Sequence, residues 1–414
     1  MISTDFAPNE SWDDAWLSLK LIFQPWRWLD GNEIIQAKNK ILDLLHVPRS
    51  TFHVLPFLTG RAALYHLLKS LNLPSGSEVL IQAFTCEAVV LPVLANNLKP
   101  IYIDIEAKTF SMNPIDLGNK ITGKSRVLIL QHTFGLTPDH RHEIIKLVRK
   151  HNLVLIEDIA HTIKSMALEQ PKVPDFYLLS FGRSKALSSV FGGAIVTSDS
   201  KIANKLLKAE KNLKFPSYGF ILRLLLYKPL AYIIKVSYDL IVGKLLHYFV
   251  EKIHLLPREI TKMEKSGEYD STLDKDYPNA LAVLLQHQLT KYDRICKIRA
   301  QTSSIYTKSF KNQGIKINIP FPLRYPLLVN ERNGLLKFAS KNNIFLGKWY
   351  DQVVAPRDLN MSKLNYKKGS CRVAEEMCKK IINLPTSISK NEAIKIVKLL
   401  TRVSINRLIE TTYK

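Results

Sequence analysis

Cysteine is scarce in this sequence, and its spacing excludes one class of site. The 414 residues include four cysteines, Cys86, Cys296, Cys371 and Cys378. They form no CxxC pair and have no nearby histidine at the spacing of a zinc ligand, so we expect no metal site. Few cysteines are also typical of a protein that works in a reducing compartment, such as the cytoplasm.

The sequence also lacks a recognisable leader. Residues 1–16 are acidic and contain no basic segment followed by an apolar core, so they do not resemble a secretory signal. No internal repeat or low-complexity run appears. We therefore expect a globular protein that stays in the cytoplasm.

Acidic residues are outnumbered by basic ones. The chain has 36 acidic and 59 basic residues, which gives a formal net charge of +23. A surplus of this size attracts anions, whether phosphorylated metabolites, nucleic acid or an acidic membrane, and it does not choose among them. Because the basic residues are scattered without a recognised nucleic-acid module, we do not expect nucleic-acid binding.

Short apolar segments alternate with amphipathic ones through the first half of the chain. Strand patterns cover 78–83, 99–105, 126–131, 153–156, 176–181 and 193–197, and helix patterns cover 31–46, 88–95 and 139–151. Repeated strand and helix units with short links predict an α/β fold, in which a mostly parallel sheet carries helices on both faces.

We divide the chain into four parts. An N-terminal segment covers 1–48, a large domain covers 49–214, an apolar and basic insertion with a linker covers 215–276, and a smaller C-terminal α/β domain covers 277–414. The patterns in the last part are a long helix from Pro278 through Tyr306, a strand at 325–329 and helices at 333–342 and 391–403.

Two polar side chains follow neighbouring predicted strands. Asp158 comes after the strand at 153–156, and Lys185 comes after the strand at 176–181. Open α/β sheets bind ligands outside the carboxyl ends of their strands. A lysine amine can hold pyridoxal phosphate covalently while a carboxylate keeps its pyridine nitrogen protonated. On spacing alone, an alternative remains open in which Asp158 caps a helix and Lys185 is a solvated surface lysine.

The surrounding residues carry a resemblance to a known family. The pattern consists of Asp158-Ile159-Ala160-His161, Ser180 with Lys185 five positions later, and Gly192-Gly193. It resembles the DegT/DnrJ/EryC1/StrS family, whose members are pyridoxal phosphate-dependent sugar aminotransferases of fold type I. The likeness runs from roughly Gly31 to Val403 and is weakest over 215–276.

The resemblance implies a role for each residue of this pattern. Lys185 would carry the cofactor and act in catalysis, Asp158 would meet the pyridine nitrogen, and His161 would lie against the ring. Ser180 would contact the phosphate. These implications make Lys185, Asp158 and His161 the candidate catalytic residues.

A helix start earlier in the chain is a candidate phosphate site. Gly60 precedes a predicted helix, and free amides at a helix N-terminus favour bound phosphate. On these residues alone, a simple turn before a core helix is the alternative. Since the family has a glycine and small residues here, the resemblance assigns the phosphate to Gly60, Arg61 and Ala62, mainly through backbone amides.

The sequence departs from the family's pattern at two places. The aromatic residue that the family stacks on the pyridine ring aligns with Cys86, and a thiol cannot stack, so Phe84 or another aromatic residue is expected to substitute. A nucleophilic Cys86 is not expected, because nothing in the sequence indicates a lowered pKa. The Asn-Tyr-Arg element that the family contributes across its dimer interface would align near Asp274 and is missing.

His132 resembles a family histidine at the edge of the site, where structural and functional roles are both open.

The segment 215–256 is strongly apolar and aromatic, but charged residues interrupt it so often that it contains no run of about 18 apolar residues. On a helix, Lys228, Lys235 and Asp239 fall on one side. This pattern is typical of a helix that lies on a membrane with its basic residues at the headgroups, so 218–250 could contact the inner face of the cytoplasmic membrane. The alternative is packing on the enzyme or on its dimer partner.

These features together predict a homodimeric, pyridoxal phosphate-dependent aminotransferase that acts on a nucleotide-linked keto sugar in amino-sugar or polysaccharide biosynthesis. Glutamate as the amino donor is implied by the resemblance. The alternative is a non-catalytic, membrane-peripheral member that acts as a scaffold or regulator. Cys86 and the missing Asn-Tyr-Arg element favour this alternative, whereas Asp158, Ser180 and Lys185 oppose it.

Overall fold

The computed structural model describes residues 1–163, 174–310, 317 and 319–402. The strands are β1 (Ile2–Ser3), β2 (His53–Phe57), β3 (Glu78–Gln82), β4 (Thr85–Cys86), β5 (Lys99–Ile103), β6 (Ser125–Gln131), β7 (Val154–Asp158), β8 (Phe176–Ser180), β9 (Gly193–Thr197), β10 (Arg324–Leu328), β11 (Ile344–Phe345), β12 (Val354–Ala355) and β13 (Ile381–Pro385). The helices are α1 (Trp12–Ile22), α2 (Glu33–Leu44), α3 (Gly60–Ser70), α4 (Glu87–Ala95), α5 (Pro114–Lys120), α6 (Arg141–Lys150), α7 (Ser200–Lys211), α8 (Tyr218–Leu225), α9 (Tyr227–Ser237), α10 (Val242–Lys252), α11 (Lys262–Lys265), α12 (Asn279–Phe310), α13 (Arg332–Lys341), α14 (Arg372–Lys380) and α15 (Lys390–Arg402).

A seven-stranded sheet forms the centre of the large domain, in the order β2-β9-β8-β7-β6-β3-β5. The five strands from β8 to β5 pair in parallel, whereas β9 pairs antiparallel with both β8 and β2. The middle strands are buried on both faces, which requires the near-continuous apolar runs seen in the sequence. The predicted α/β fold with a mostly parallel sheet is therefore confirmed.

Parallel strands bring their carboxyl ends to one edge of this sheet. Asp158 ends β7 and Ser180 ends β8. At the same edge, β2 leads into α3, which begins at Gly60 and is capped by Thr59, whose Oγ1 accepts the N–H of Ala62 at 3.1 Å. The edge thus gathers three of the predicted site elements.

The C-terminal part packs back onto this edge. Strand β10 pairs antiparallel with β13, and the two-residue β12 pairs in parallel with β4, so Ala355 lies opposite Cys86. The first residues of the chain join this part, since β1 pairs with β11. The predicted helix at 391–403 is α15, except that residue 403 lies outside the described residues.

The insertion forms helices α8, α9 and α10, and α9 packs against α1 and α10. Its charged side chains do not lie where the sequence predicted. Lys228 is fully buried, with Nζ 2.5 Å from Oε2 of Glu10, and the half-buried Lys235 donates inward to the carbonyl of Ala7 at 3.3 Å. The prediction that these two lysines face lipid headgroups is therefore wrong. In the described part of the chain, every helix is too short or too polar to cross a bilayer.

Candidate active site

A cavity of about 520 Å³ opens at the carboxyl edge of the sheet. This volume lies within the range of sites for small organic ligands. Its walls come from the loops after β2, β7 and β8, from β4 and α4, and from the C-terminal part. They include predicted and unpredicted residues: Gly60, Arg61, Cys86, Glu87, Asp158, Ser180, Lys185, Glu259, Trp349 and Tyr350.

The amine of Lys185 lies against the imidazole of His161, with Nζ 3.2 Å from Nε2. The other ring nitrogen, Nδ1, accepts the backbone N–H of Phe134 at 3.0 Å. Burial lowers the pKa of His161 well below its usual value, so the ring is neutral near pH 7 and its proton lies on Nε2. The ring nitrogen Nε2 thus lies within hydrogen-bond distance of the Lys185 amine and fixes its position.

Asp158 lies deep in the same cavity. Its Oδ1 accepts the backbone N–H of Ala160 at 3.0 Å. Burial raises the pKa of this carboxyl above its usual value, while the charge of Lys185 acts in the opposite direction. Such a group readily shares a proton with a basic ring nitrogen. The structure thus brings Asp158, His161 and Lys185 together, as the sequence predicted.

Two glycines, Gly60 and Gly193, lie where two backbone segments approach closely, and this approach shapes one corner of the cavity. A β-carbon on Gly60 would lie 3.2 Å from Cβ and 3.3 Å from Oγ of Ser180, and one on Gly193 would lie 2.3 Å from Cα of Gly60. Gly193 therefore requires glycine for the close approach of two backbones, and Gly60 leaves little room for a side chain. The N-terminus of α3 reaches the Ser180 hydroxyl with no side chain between them, and this corner fits a phosphate group.

The other two residues predicted to bind phosphate have partners of their own. The guanidinium of Arg61 lies 2.6 Å from Oε1 of Glu264 and 3.7 Å from Oε1 of Glu87. The amide of Ala62 already donates to the cap at Thr59. Gly60 and Arg61 line the cavity, whereas Ala62 is fully buried beneath it. The backbone amides of Gly60 and Arg61 are thus better placed for a phosphate than that of Ala62.

Glu259, in the linker after the insertion, also reaches this corner. Its Oε1 accepts the backbone N–H of Arg183 at 2.9 Å, next to Gly182 and Ser180. A carboxylate bonded to this amide shows that the corner favours an anion. Sequence reasoning missed Glu259, because the linker lies in the part of the chain where the family pattern is weakest.

Cys86 lines the cavity but offers no nucleophile. Burial raises the pKa of its thiol to about 12, which agrees with the prediction that it is not reactive. Phe84 does not substitute for the aromatic ring that Cys86 replaces. It is fully buried behind the cavity, 5.4 Å from each of the rings of Phe110 and Tyr350.

The aromatic wall comes from Trp349, which the C-terminal part supplies. Its ring centroid lies 5.6 Å from that of His161, with the planes 27° apart, and 5.2 Å from Nζ of Lys185. The guanidinium of Arg324 lies 3.1 Å from the Trp349 centroid and holds the ring in place. No local signal identified this residue, since the pairing of β12 with β4 is what brings 349–355 to the cavity.

Glu87 is a second residue that sequence reasoning overlooked. It begins α4, is buried, and lines the cavity beside Cys86. Burial raises the pKa of its carboxyl to about 7, and Arg61 acts in the opposite direction.

His132 has a structural role. Its Nε2 lies 3.2 Å from Oε2 of the fully buried Glu157, which also binds Arg141 at 2.6 Å.

A second cavity of about 470 Å³ adjoins the first and shares Asp5 and Glu259 with it. Helices α9 and α10 form much of its wall. Two guanidinium groups line it, from Arg183 and Arg258. The insertion therefore borders the space next to the amine of Lys185.

Several known proteins with similar sequences have names that refer to amino-sugar synthesis or amino transfer. Residues 27–215 match the model of the DegT/DnrJ/EryC1/StrS aminotransferase family. A GDP-perosamine synthase of Escherichia coli O157:H7 is 28% identical over 201 residues, which are 48% of this chain and 51% of the relative. A UDP-N-acetyl-3-dehydro-alpha-D-glucosamine 3-aminotransferase of Acidithiobacillus ferrooxidans is 31% identical over 36% of this chain and 41% of the relative. The chain thus spans about half the length of these curated relatives.

Solved structures share the fold over nearly the whole chain. A DegT DnrJ EryC1 StrS aminotransferase from Brucella abortus superposes with a TM-score of 0.70, at 18% identity, over 94% of this chain and 95% of that one. The Helicobacter pylori aminotransferase PseC, involved in the biosynthesis of pseudoaminic acid, gives 0.71 at 16% identity over 96% and 98%. Residues 27–215 therefore match the DegT/DnrJ/EryC1/StrS aminotransferase family, which is the family that the sequence resemblance predicted.

Proposed function

We propose that this protein is a pyridoxal phosphate-dependent aminotransferase that transfers an amino group to a keto sugar carried by a nucleotide. The observation that carries the proposal is one cavity in which the Lys185 amine, held 3.2 Å from His161, lies near the buried carboxyl of Asp158. The names of the relatives support a sugar substrate, since two of them are a perosamine synthase and a dehydro-glucosamine aminotransferase.

The residues of the cavity fit this cofactor. Ser180 and the amides at the start of α3 would hold the phosphate, Asp158 would meet the pyridine nitrogen, and Trp349 would bound the ring. Pyridoxal phosphate supplies an electron sink when it is bound. The pocket side chains would keep water from the reacting carbon, since most of the wall is apolar.

Lys185 has two tasks in this proposal. Its amine, held 3.2 Å from His161 Nε2, would attach the cofactor covalently. The same Nζ would also serve as general base and general acid, moving the proton that amino transfer requires. His161 would orient the amine, and Asp158 would keep the ring nitrogen of the cofactor protonated.

The adjoining cavity supports a substrate larger than the reacting sugar. Arg183 and Arg258 would bind the phosphates of a nucleotide there, since guanidinium groups bind phosphate well. In this proposal glutamate is the amino donor, the enzyme is a homodimer in the cytoplasm with peripheral membrane contact through 218–250, and its product enters amino-sugar or polysaccharide biosynthesis.

The direct test uses purified protein reconstituted with pyridoxal phosphate. We expect a visible absorption band, and borohydride treatment should fix the cofactor mass to the peptide that contains Lys185. Glutamate, added without a sugar acceptor, should then abolish the visible band as the amino group moves to the cofactor. A protein that binds no cofactor would refute the proposal.

The same assay distinguishes the enzyme from a non-catalytic scaffold. A scaffold that retained the fold would bind the cofactor, but its visible spectrum would not change with glutamate or with any other amino acid. Candidate nucleotide keto sugars, supplied to the glutamate-treated protein, should restore the band only if they accept the amino group.

A further inference from the structure

Large apolar side chains are exposed along α9, along α10 and at the short turn Tyr238–Leu240 between them. They are Ile233, Val236, Leu240, Ile241, Val242, Leu245, Tyr248 and Phe249. Leu240, Ile241 and Val242 are consecutive in the chain and are 73%, 63% and 59% exposed. Single exposed apolar residues are ordinary, but a contiguous group of this size marks a surface that binds something. We call residues 240–249 the insertion tip.

Aromatic side chains of α1 extend the same surface. Trp12 and Trp16 are exposed and stack with centroids 6.0 Å apart, and the Trp12 ring lies 5.7 Å from that of Tyr232 on α9. Tryptophan and tyrosine favour the level of the lipid headgroups, because their rings are apolar and their N–H and O–H groups remain hydrated. The composition of the surface is therefore that of a membrane interface.

The backbone holds the insertion tip in a pointed shape. Ile241 has φ +69°, a left-handed conformation that is unusual for a β-branched residue. A β-carbon on Gly243 would lie 2.5 Å from the carbonyl oxygen of Ile234, so only glycine allows α10 to pack this closely on α9. The turn projects three consecutive apolar side chains outward, which suits insertion between lipids better than contact with a flat protein face.

The charges around the surface favour an anionic partner. Lys244 and Lys252 are exposed on α10, and Lys20 lies over the Trp16 ring on α1. The acidic groups of this region have partners: Asp239 binds the N-terminal amine, Asp13 lies 2.9 Å from Lys291, and Glu251 lies 3.5 Å from His247. A second copy packed here across a two-fold axis would bring like charges together, whereas lipid phosphates would neutralise them.

We propose that α1, α9 and the insertion tip dock this protein onto an anionic lipid bilayer. Leu240, Ile241 and Val242 enter the acyl region, and Lys244 and Lys252 contact lipid phosphates. Helices α9 and α10 have 11 residues each, which is about 16 Å of helix, so the tip reaches only part of one leaflet. The lysines that contact lipid are thus different from those that the sequence pattern suggested.

Docking at this surface holds the active site in a fixed relation to the membrane. On α9, Lys228 binds Glu10 and the carbonyl of Ser188 at 3.1 Å. Asn9, next to Glu10, donates to the carbonyl of Lys185 at 2.6 Å. The helix that carries the apolar surface is therefore bonded directly to the segment that carries the amine.

Flotation with lipid vesicles tests this proposal without reference to catalysis. We expect the cofactor-loaded protein to float with vesicles of equal parts phosphatidylcholine and phosphatidylglycerol, and to float much less with phosphatidylcholine alone. A triple variant, Leu240→Ser with Ile241→Ser and Val242→Ser, should lower the bound fraction at least tenfold. Ile115→Ser, which removes an exposed isoleucine from α5, is the matched control and should float like the unaltered protein.

The proposal is overturned if the unaltered protein does not float, or if the triple variant floats equally well. If the triple variant floats equally well and light scattering also shows a changed oligomeric state, the surface is a subunit contact. Circular dichroism and thermal unfolding of the triple variant confirm that a loss of flotation is not a loss of fold.

Discussion

Charged and apolar side chains are placed differently in the large domain and in the insertion. In the large domain, apolar strands and helices form the core, and the polar groups meet at one edge of the sheet around Lys185. In the insertion, Lys228 is buried, whereas several large apolar side chains of α9 and α10 are exposed. A helical pattern in the sequence shows which residues share a face, but it does not show which face lies inside.

The reason is that a partner for Lys228 lies far away in the chain. Glu10 is 218 residues earlier and supplies a buried carboxylate 2.5 Å from the lysine amine. A buried charge with such a partner is tolerated, whereas one without a partner is very costly. The helix α9 therefore buries Lys228 beside Ala231 and Ile234, and it leaves Ile233 and Val236 exposed.

Removal of the Lys185 amine, which tests the large domain, should have the largest effect. Lys185→Ala should lose covalent attachment of the cofactor and lower kcat by about 10³-fold or more, because it removes both the nucleophile and the proton carrier. Absorption spectra and borohydride labelling measure the attachment. Lys348→Ala, which removes another lysine from the wall of the same cavity, should keep the attachment. Unchanged labelling in Lys185→Ala would contradict the assignment.

The corresponding test of the insertion removes one partner of the buried ion pair between Lys228 and Glu10. Lys228→Met should lower the free energy of unfolding by roughly 3–5 kcal/mol, since it leaves the Glu10 carboxylate buried without a counter-charge. Urea unfolding at pH 7 measures the loss. The exposed Lys244→Met is the control and should change stability by less than about 0.5 kcal/mol.

A double variant sharpens this test. Glu10→Gln combined with Lys228→Met removes both charges and should recover much of the stability that Lys228→Met loses. If the double variant is as unstable as Lys228→Met, the loss of stability is not caused by the unpaired charge of Glu10. Pairing with Glu10 would then not explain why Lys228 is buried.

Glu87 offers a pH-dependent test within the active-site cavity. Its pKa is about 7 in the folded protein, against an ordinary value of 4.5, so its contribution to stability is complete below pH 4.5 and is lost as the pH rises to 7. Glu87→Gln mimics the protonated form. It should match the unaltered protein near pH 4.5 and exceed its free energy of unfolding by roughly 3 kcal/mol near pH 8. Unfolding curves of both proteins at pH 4.5 and at pH 8 measure this difference. If the difference in free energy of unfolding is the same at the two pH values, Glu87 is not the titrating group.

The aromatic wall should give the smallest effect. Trp349→Ala should weaken cofactor binding by about 3- to 10-fold, because it removes an aromatic contact worth about 0.5–1.5 kcal/mol, whereas Trp349→Phe should retain most of the affinity. Equilibrium dialysis of the cofactor measures both. Equal affinity of the alanine and phenylalanine variants would show that the ring of Trp349 does not bound the cofactor.

Much of the active site was predictable because its residues follow local patterns. Strand periodicity located β7 and β8, and the carboxyl ends of parallel strands meet at one edge, so Asp158 and Lys185 were expected to lie together. The corner at Gly60 followed from a glycine at a helix start. The tautomer of His161, by contrast, is revealed only by the hydrogen bond from the backbone N–H of Phe134 to Nδ1.

The sequence by itself therefore determined the fold class, the family and the carboxylate, amine and hydroxyl at the strand ends, since each depends on spacing within a short segment. Only the tertiary structure decided what surrounds them. Trp349 enters the cavity through the pairing of β12 with β4, Glu259 enters from the linker, and Lys228 turns inward to reach Glu10. These contacts join segments far apart in the chain, and no local pattern of apolar and charged residues specifies a distant partner.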